Sequence, residues 1–151
     1  MANEKYAFVM MIRSVWWNEF RHRHDSDGKQ THSYIQAGRG SPTKASMLFF
    51  YVVKPVGEVA GHAEFIERKA GDANEIWQEH GRESVLTSKA QCDNFVNGRK
   101  KIAFIRFQNL REAAKPIPLK SLLMLLGKKK LARRGFYINK KTADRMITIM
   151  G

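Results

Sequence analysis

The segment ASMLFFYVV at residues 45–53 restricts the fold more than any other part of the chain. Apart from Ser46 it is apolar and aromatic, and it contains no glycine or proline, which is typical of a buried strand. The turn sequence KPVG follows, and EVAGHAEFIER at residues 58–68 predicts a second strand. Gly61, in the middle of this second strand, predicts a bulge or the close approach of another backbone.

The remaining patterns predict elements in an irregular order. YAFVMMI (6–12) predicts a strand, and SVWWNEFRHRH predicts a helix with Ser14 as its N-cap. Residues 25–44 predict a long loop with one helical turn at 34–37. Helices are then predicted at 71–81, 87–98, 119–127 and 140–150, and strands at 99–110 and 134–139. This order is not a βαβ alternation, so we expect a single α+β domain over residues 1–151, with a mostly antiparallel, curved sheet.

The positive charge is concentrated in the last third of the chain. Residues 1–97 hold 12 Lys and Arg and 12 Asp and Glu, whereas residues 98–151 hold 15 bases against Glu112 and Asp144 alone, so all of the formal +13 lies there. The segment GKKKLARRGFYINKK (127–141) contains seven basic residues and no acid. Such segregation favours a polyanionic partner over simple solubility, although a solvated basic face remains the alternative.

Composition restricts the class of protein. At 43% hydrophobic and 27% charged residues the chain is typical of a globular domain. Cys92 is the only cysteine, which excludes an internal disulfide and fits a reducing compartment. No apolar run approaches the ~20 residues of a transmembrane helix, and the N-terminal stretch is a poor signal peptide. We therefore expect a cytoplasmic protein.

Three stretches carry a family resemblance, namely VWWNEFRHRHDSDGKQTHSYIQAGRGSPTKASMLFFYV, PVGEVAGHAEFIER and IAFIRFQNLREAAKPIPLKSLL. In this order they resemble the ASCH and EVE group of PUA-like domains, in particular a small archaeal branch. The first is similar to the family's first helix, its loop of glycine and basic residues and the next strand. The second is similar to a glycine-bearing strand pair, and the third to a late strand and the turn into a helix. The resemblance implies a PUA-like β pseudo-barrel, mostly antiparallel, with surrounding helices.

The resemblance also implies functions, because PUA-like relatives bind RNA or modified nucleobases and some ASCH members are enzymes. One ASCH activity, amide hydrolysis of an acetylated cytidine, uses a Lys, a Thr and a Glu. Here Thr43, Lys44 and Glu64 would take these roles. Thr43 directly precedes Lys44 instead of following a Lys by three positions, however, and the alternative is that both residues cap and flank a strand.

The two adjacent tryptophans raise a further alternative. On a helix only one of Trp16 and Trp17 can lie fully in the core, and the other either faces a groove or covers a core edge. We predict a base-reading pocket near Trp16, Arg39, Lys44 and Tyr51, since aromatic stacking on a single-stranded base is worth ~1–3 kcal/mol. Basic residues in the last third of the chain would bind the phosphate backbone of the RNA. They are Arg99, Lys100, Lys128, Lys129, Lys130, Arg133, Arg134, Lys140 and Lys141.

A metal site is not predicted. His22, His24, Asp25 and His32 offer suitable ligand atoms, but two histidines two positions apart lie on different faces of a helix. We also expect no cofactor.

The segregated charge and the family resemblance together predict an RNA-binding domain rather than an enzyme. The alternatives are an ASCH-type enzyme acting on modified nucleosides or RNA, and a basic module that binds a protein or a membrane surface.

Overall fold

The computed structural model describes residues 5–26, 28, 30–36, 42–84, 86, 88–98 and 101–151. The chain forms six strands, five α-helices and one 3₁₀ turn within these residues. In chain order they are β1 (Ala7–Ile12), α1 (Ser14–Asp25), β2 (Thr31–Gln36), β3 (Met47–Val52), β4 (Glu58–Asp72), α2 (Ala73–His80), the 3₁₀ turn (Gly81–Glu83), α3 (Lys89–Val96), β5 (Lys101–Pro118), α4 (Leu119–Leu126), β6 (Phe136–Ile138) and α5 (Lys140–Met150).

The strands pair in one sheet in the order β2-β5-β4-β3-β1-β6. β1 and β3 are parallel, and the other four pairings are antiparallel. The α+β class and the mostly antiparallel sheet are therefore confirmed. β2 and β6 lie at the two edges of this strand order.

Helices cover both faces of the sheet, so alternate residues of its central strands are buried on opposite sides. On one face Phe50 packs with Trp17 and Phe20 of α1. On the other face Phe49 and Tyr51 pack with α4 and α5. A smaller cluster joins α2 and α3 to the N-terminal end of β5, at Ile102 and Phe104, and includes the buried Cys92. The continuous apolar pattern of residues 45–53 reflects this two-sided burial.

Local signals fixed most helix ends. Asp72 caps α2 by accepting hydrogen bonds from the N–H groups of Asn74 and Glu75, and Gly127 ends α4 in the left-handed conformation at φ 66°. The side chain of Ser88 caps α3 by accepting a hydrogen bond from the N–H group of Gln91.

The prediction for residues 25–44 was wrong in one part. Residues 34–36, predicted as part of a helical turn, belong to β2, which pairs with β5 from Thr31↔Gln108 to Gln36↔Ala103. His32 and Ser33 on this strand are completely buried, so the polar sequence concealed a strand. Burial by β5, more than 65 positions later in the chain, overrides the local pattern.

Gly61 is a position of close backbone approach, as predicted. A β-carbon there would collide with the Arg111 carbonyl oxygen and the Trp17 ring. The β4–β5 ladder changes register beside Gly61 and again between His62 and Glu64. These irregularities redirect the side chains that line the cavity described below.

Candidate functional site

The basic segment lies on the surface between α4 and β6. Lys128, Lys129, Lys130, Arg133 and Arg134 are all exposed, and Lys128 Nζ lies 5.5 Å from the centre of the Phe136 ring. The structure thus places five of the predicted cations together on one short connection. Their charges are available to a phosphate backbone.

An open cavity of about 480 Å³ adjoins this segment. We call it the Tyr51 cavity; it is lined by Met11, Tyr51, Val53, Lys54, Leu119, Leu123, Lys129, Lys130, Leu131, Ala132 and Arg133. Burial raises the pKa of the Tyr51 phenol. The cavity therefore combines an apolar and aromatic lining with four cations, a combination suited to a nucleobase and its phosphates.

The two lysines at the start of α5 are also exposed. Lys140 Nζ lies 2.8 Å from Asp144 Oδ2 and 5.6 Å from the centre of the Tyr6 ring. The hydrogen bond to Asp144 raises the pKa of Lys140. Lys140 is thus partly neutralised by its own helix, whereas the described contacts of Lys141 include no acid.

A second open cavity, of about 460 Å³, is polar. We call it the Glu64 cavity; it is lined by Tyr6, Ser46, Met47, His62, Ala63, Glu64, Asn109 and Arg111. The Asn109 side-chain amide donates a hydrogen bond to Glu64 Oε2. Asn109 itself is left-handed, at φ 54°, where β5 changes register against β4. Asparagine is one of the few residues with a side chain that tolerates this conformation.

His62 and Arg111 face each other across the β4–β5 ladder in the Glu64 cavity. Burial and, to a smaller extent, the Arg111 cation lower the pKa of His62. His62 is therefore predominantly neutral at pH 7, which makes its ring a hydrogen-bonding and stacking group rather than a cation.

Thr43 and Lys44 meet Tyr137 rather than Glu64. The Thr43 N–H donates to the Tyr137 hydroxyl at 3.0 Å, and the two hydroxyl oxygens are 3.3 Å apart. Burial alone would raise the pKa of Tyr137, but hydrogen bonds from Thr43 and the Lys44 backbone, with the nearby Lys5 cation, lower it. Within the described part of the chain no hydrogen bond or ion pair joins Thr43 or Lys44 to Glu64, so the catalytic trio stays a prediction.

Of the predicted pocket residues that the structure describes, Trp16 and Tyr51 lie on opposite faces of the sheet. Trp16 is half-buried and lines a small cavity of about 20 Å³ with Phe20, Tyr34 and others, a volume that suits a single water molecule. Tyr51 packs in the apolar cluster on the other face of the sheet. Arg39, Arg99 and Lys100 lie outside the described residues. Tyr51 instead joins the basic segment, an association that sequence alone could not show.

Sequence reasoning missed the best-connected polar cluster. Arg106 donates to both carboxylate oxygens of Glu83, at 2.9 and 3.0 Å, and to Glu67 at 3.3 Å. The buried Ser33 hydroxyl and the His80 ring also lie within 2.9 and 3.1 Å of Glu83. These contacts tie the 3₁₀ turn to β2, β4 and β5, and no local pattern links residues so far apart.

The histidines do not form a metal centre in the described part of the chain, where no group of three or more potential ligands converges. His24 Nδ1 and His32 Nε2 are 3.2 Å apart, and the buried His32 ring stacks on Phe107. No described helix is both long and apolar enough to cross a membrane.

Comparison with known proteins places this geometry in a class. No family model matches the sequence. A curated relative, an ASCH domain-containing ribonuclease of Zymomonas mobilis, is 31% identical over 64 residues, which cover 42% of this chain and 43% of the relative. The match thus spans less than half of that protein's length.

Solved structures extend the likeness to the whole chain. The crystal structure of ASCH from Zymomonas mobilis superposes with a TM-score of 0.77 at 18% identity and covers 98% of each chain. The NMR structure of Rpa0253 from Rhodopseudomonas palustris has a TM-score of 0.53 at 11% identity, over 97% of this chain and 93% of that one. The fold is therefore that of the PUA-like class. Within this class it is the ASCH fold, which confirms the resemblance seen in the sequence.

Proposed function

We propose that this chain is an RNA-binding domain that holds a single strand on the basic segment 128–134 and receives a base in the Tyr51 cavity. The observation that carries the proposal is the lining of that cavity, to which Tyr51 contributes together with Lys129, Lys130 and Arg133. Phosphate contacts supply affinity and position the RNA strand. An apolar and aromatic pocket can receive any of the four bases, because every base has a face that can stack.

Two further findings support RNA as the partner. All of the formal +13 lies in residues 98–151, which include the cavity's cations other than Lys54. The curated relative is named as a ribonuclease, which means that its substrate is RNA. Single-stranded RNA is favoured over a duplex because a cavity can accept only an unstacked base.

Charge reversal at the cavity rim tests the proposal. We expect Lys129→Glu/Lys130→Glu to weaken binding of labelled single-stranded RNA at least about tenfold, roughly 1.4 kcal/mol, in fluorescence anisotropy. The matched control is Lys69→Glu/Lys89→Glu, which makes the same change of charge at residues that line neither cavity. Equal losses in the two variants, or none, would contradict the proposal. Equal binding to anionic vesicles would instead support the membrane-surface alternative.

Cleavage of RNA is the second candidate function, and the name of the curated relative favours it. Under this reading Lys44 would contribute to the reaction rather than to binding alone. A Lys44→Ala variant that retains RNA affinity but loses production of cleaved fragments would establish an enzyme. Intact RNA after prolonged incubation with the native chain would leave the binding module.

A further inference from the structure

We propose that the Glu64 cavity recognises guanine, so that the bound strand is read at a second position by Glu64, Arg111 and Asn109. The inference rests on the proposed RNA binding and adds the identity of a base. It is carried by a carboxylate and a guanidinium that line one open cavity on β4 and β5.

The hydrogen-bonding groups match one base. The Watson–Crick edge of guanine presents two adjacent donors, N1–H and the N2 amino group, beside the O6 acceptor. A carboxylate is an acceptor with two oxygens and fits the two donors, while a guanidinium donates to O6. Adenine, cytosine and uracil each place at least one acceptor lone pair against the carboxylate, which is repulsive.

The carboxylate is held in place before a ligand arrives. Asn109 donates to Glu64 Oε2 from the left-handed position at the bulge of β5. The bulge arises because β4 advances two residues, from His62 to Glu64, while β5 advances three, from Gln108 to Arg111. A side chain fixed in this way loses less conformational freedom on binding, which favours affinity.

The cavity also has room and aromatic surface for a base. Its volume of about 460 Å³ lies within the range of small-molecule sites. The rings of Tyr6 and His62 line it and offer stacking faces. The Lys140 ammonium lies 5.6 Å from the centre of the Tyr6 ring, so one cation, itself paired with Asp144, adjoins this wall of the cavity.

Both cavities open on the face of the sheet covered by α4 and α5. Tyr6 and Met47 of the Glu64 cavity, and Met11 and Val53 of the Tyr51 cavity, pack against the same apolar cluster. Tyr6 and Met11 are five positions apart on one extended segment, a separation of roughly 17 Å at ~3.3 Å per residue. A short single strand can therefore occupy both cavities at once.

Mononucleotide titration tests the inference directly. Isothermal titration of the native chain with GMP, AMP, CMP, UMP and IMP should show GMP binding roughly 5- to 150-fold more tightly than AMP, the range of one good bidentate contact. IMP, which lacks the N2 amino group, should fall between them. Equal affinities for GMP and AMP would overturn the inference.

Variants distinguish the site from an unspecific preference. Glu64→Gln should abolish most of the preference for GMP over AMP, because an amide places a donor where an acceptor is needed. Glu79→Gln removes one exposed carboxylate from α2 and should leave the preference unchanged. A preference that survives Glu64→Gln would assign guanine recognition to another place and overturn the inference.

The same proteins separate this inference from the proposed function. A uridine-only RNA that binds well, together with equal affinity for all mononucleotides, contradicts guanine recognition and leaves RNA binding intact. A GMP preference without any RNA binding contradicts the proposed function alone, and the Glu64 cavity is then a site for free nucleotides.

Discussion

Tyr137 illustrates how a single side chain acquires an unusual environment. Its ring packs edge-on against Phe8, with centres 5.0 Å apart, while its hydroxyl lies at the end of the sheet beside Thr43. Lys5 Nζ is 5.2 Å from the ring centre. Donors and a cation around the oxygen favour the phenolate, which is why the pKa of Tyr137 falls despite partial burial.

Removing the Thr43 hydroxyl should raise the pKa of Tyr137. In Thr43→Val the backbone N–H still donates, but the side-chain hydrogen bond is lost. We expect the titration of Tyr137, followed by NMR of ring-labelled tyrosine, to move to higher pH. Thr148→Val, which loses a hydroxyl that bonds Asp144 on α5, is the control. A titration curve shared by the two variants would show that the Thr43 hydroxyl has no influence.

The effect of the Arg111 cation on the pKa of His62 should be measurable. Arg111→Gln removes the smaller of the two causes that lower the pKa of His62, since burial remains. We expect the imidazole to titrate at higher pH in the variant than in the native chain, though still below its ordinary value. NMR of the His62 ring protons measures the shift, and an unchanged curve would exclude the electrostatic contact.

At the scale of single residues, the sequence predicted which side chains are buried better than it predicted which side chains contact each other. One tryptophan of the pair was expected to enter the core, and Trp17 is 5% exposed. The side chains that meet at Glu64 could not be found in this way, because Asn109 reaches the carboxylate only through a register change between two strands. Gly61 predicted an irregularity in β4, but no local pattern specifies which residues of β5 lie opposite it.

At the scale of elements, the Glu83–Arg106 contact holds the 3₁₀ turn on the sheet. Burial opposes the charge of Glu83, but the hydrogen bonds from Arg106 and Ser33 and the Arg106 cation outweigh it and lower the pKa of Glu83. A lowered carboxyl pKa stabilises the fold at pH above the ordinary value. That stabilisation is lost as the pH falls through the lowered pKa.

We therefore expect acid to cost the native chain more stability than it costs Glu83→Gln. The variant should lose about 1.5–3 kcal/mol of unfolding free energy near neutral pH, the value of a hydrogen bond to a charged group. The difference between the two proteins should shrink as the pH is lowered below about 4.5. Urea unfolding at several pH values measures both, and Glu79→Gln is the exposed control. A constant difference at every pH would contradict the assignment.

The elements themselves were predicted with uneven success. The closing helix at residues 140–150 was predicted with its observed ends because its apolar residues recur at helical spacing. Its cap, Asn139, was assigned instead to the preceding strand. β4 and β5 were predicted too short, since they extend to Asp72 and Pro118. The extensions that were missed are largely polar: residues 69–72 of β4 pair with the start of β5, and residues 111–118 of β5 pair with the start of β4. Burial therefore does not mark them in the sequence.

At the scale of the whole molecule, the charge of the last third should appear in the salt dependence of RNA binding. Each phosphate contact on a single strand contributes about 0.7 to the slope of log affinity against log salt, so reversing Lys128, Lys129 and Lys130 should lower the slope by about 2. The charge-matched control reverses Lys69, Lys89 and Lys115, which line neither cavity. Parallel slopes for all three proteins would show that the basic segment does not contact phosphate.

The strand order has a consequence for how the chain folds. Among the residues that the structure describes, β2 pairs with β5 alone and β6 with β1 alone, so each edge of the sheet joins segments distant in sequence. β2 lies in the first half of the chain, but β5, the strand with which it pairs, is synthesised more than 65 residues later. Such high contact order predicts slow folding, and it requires most of the polypeptide to be synthesised before the sheet can close at either edge.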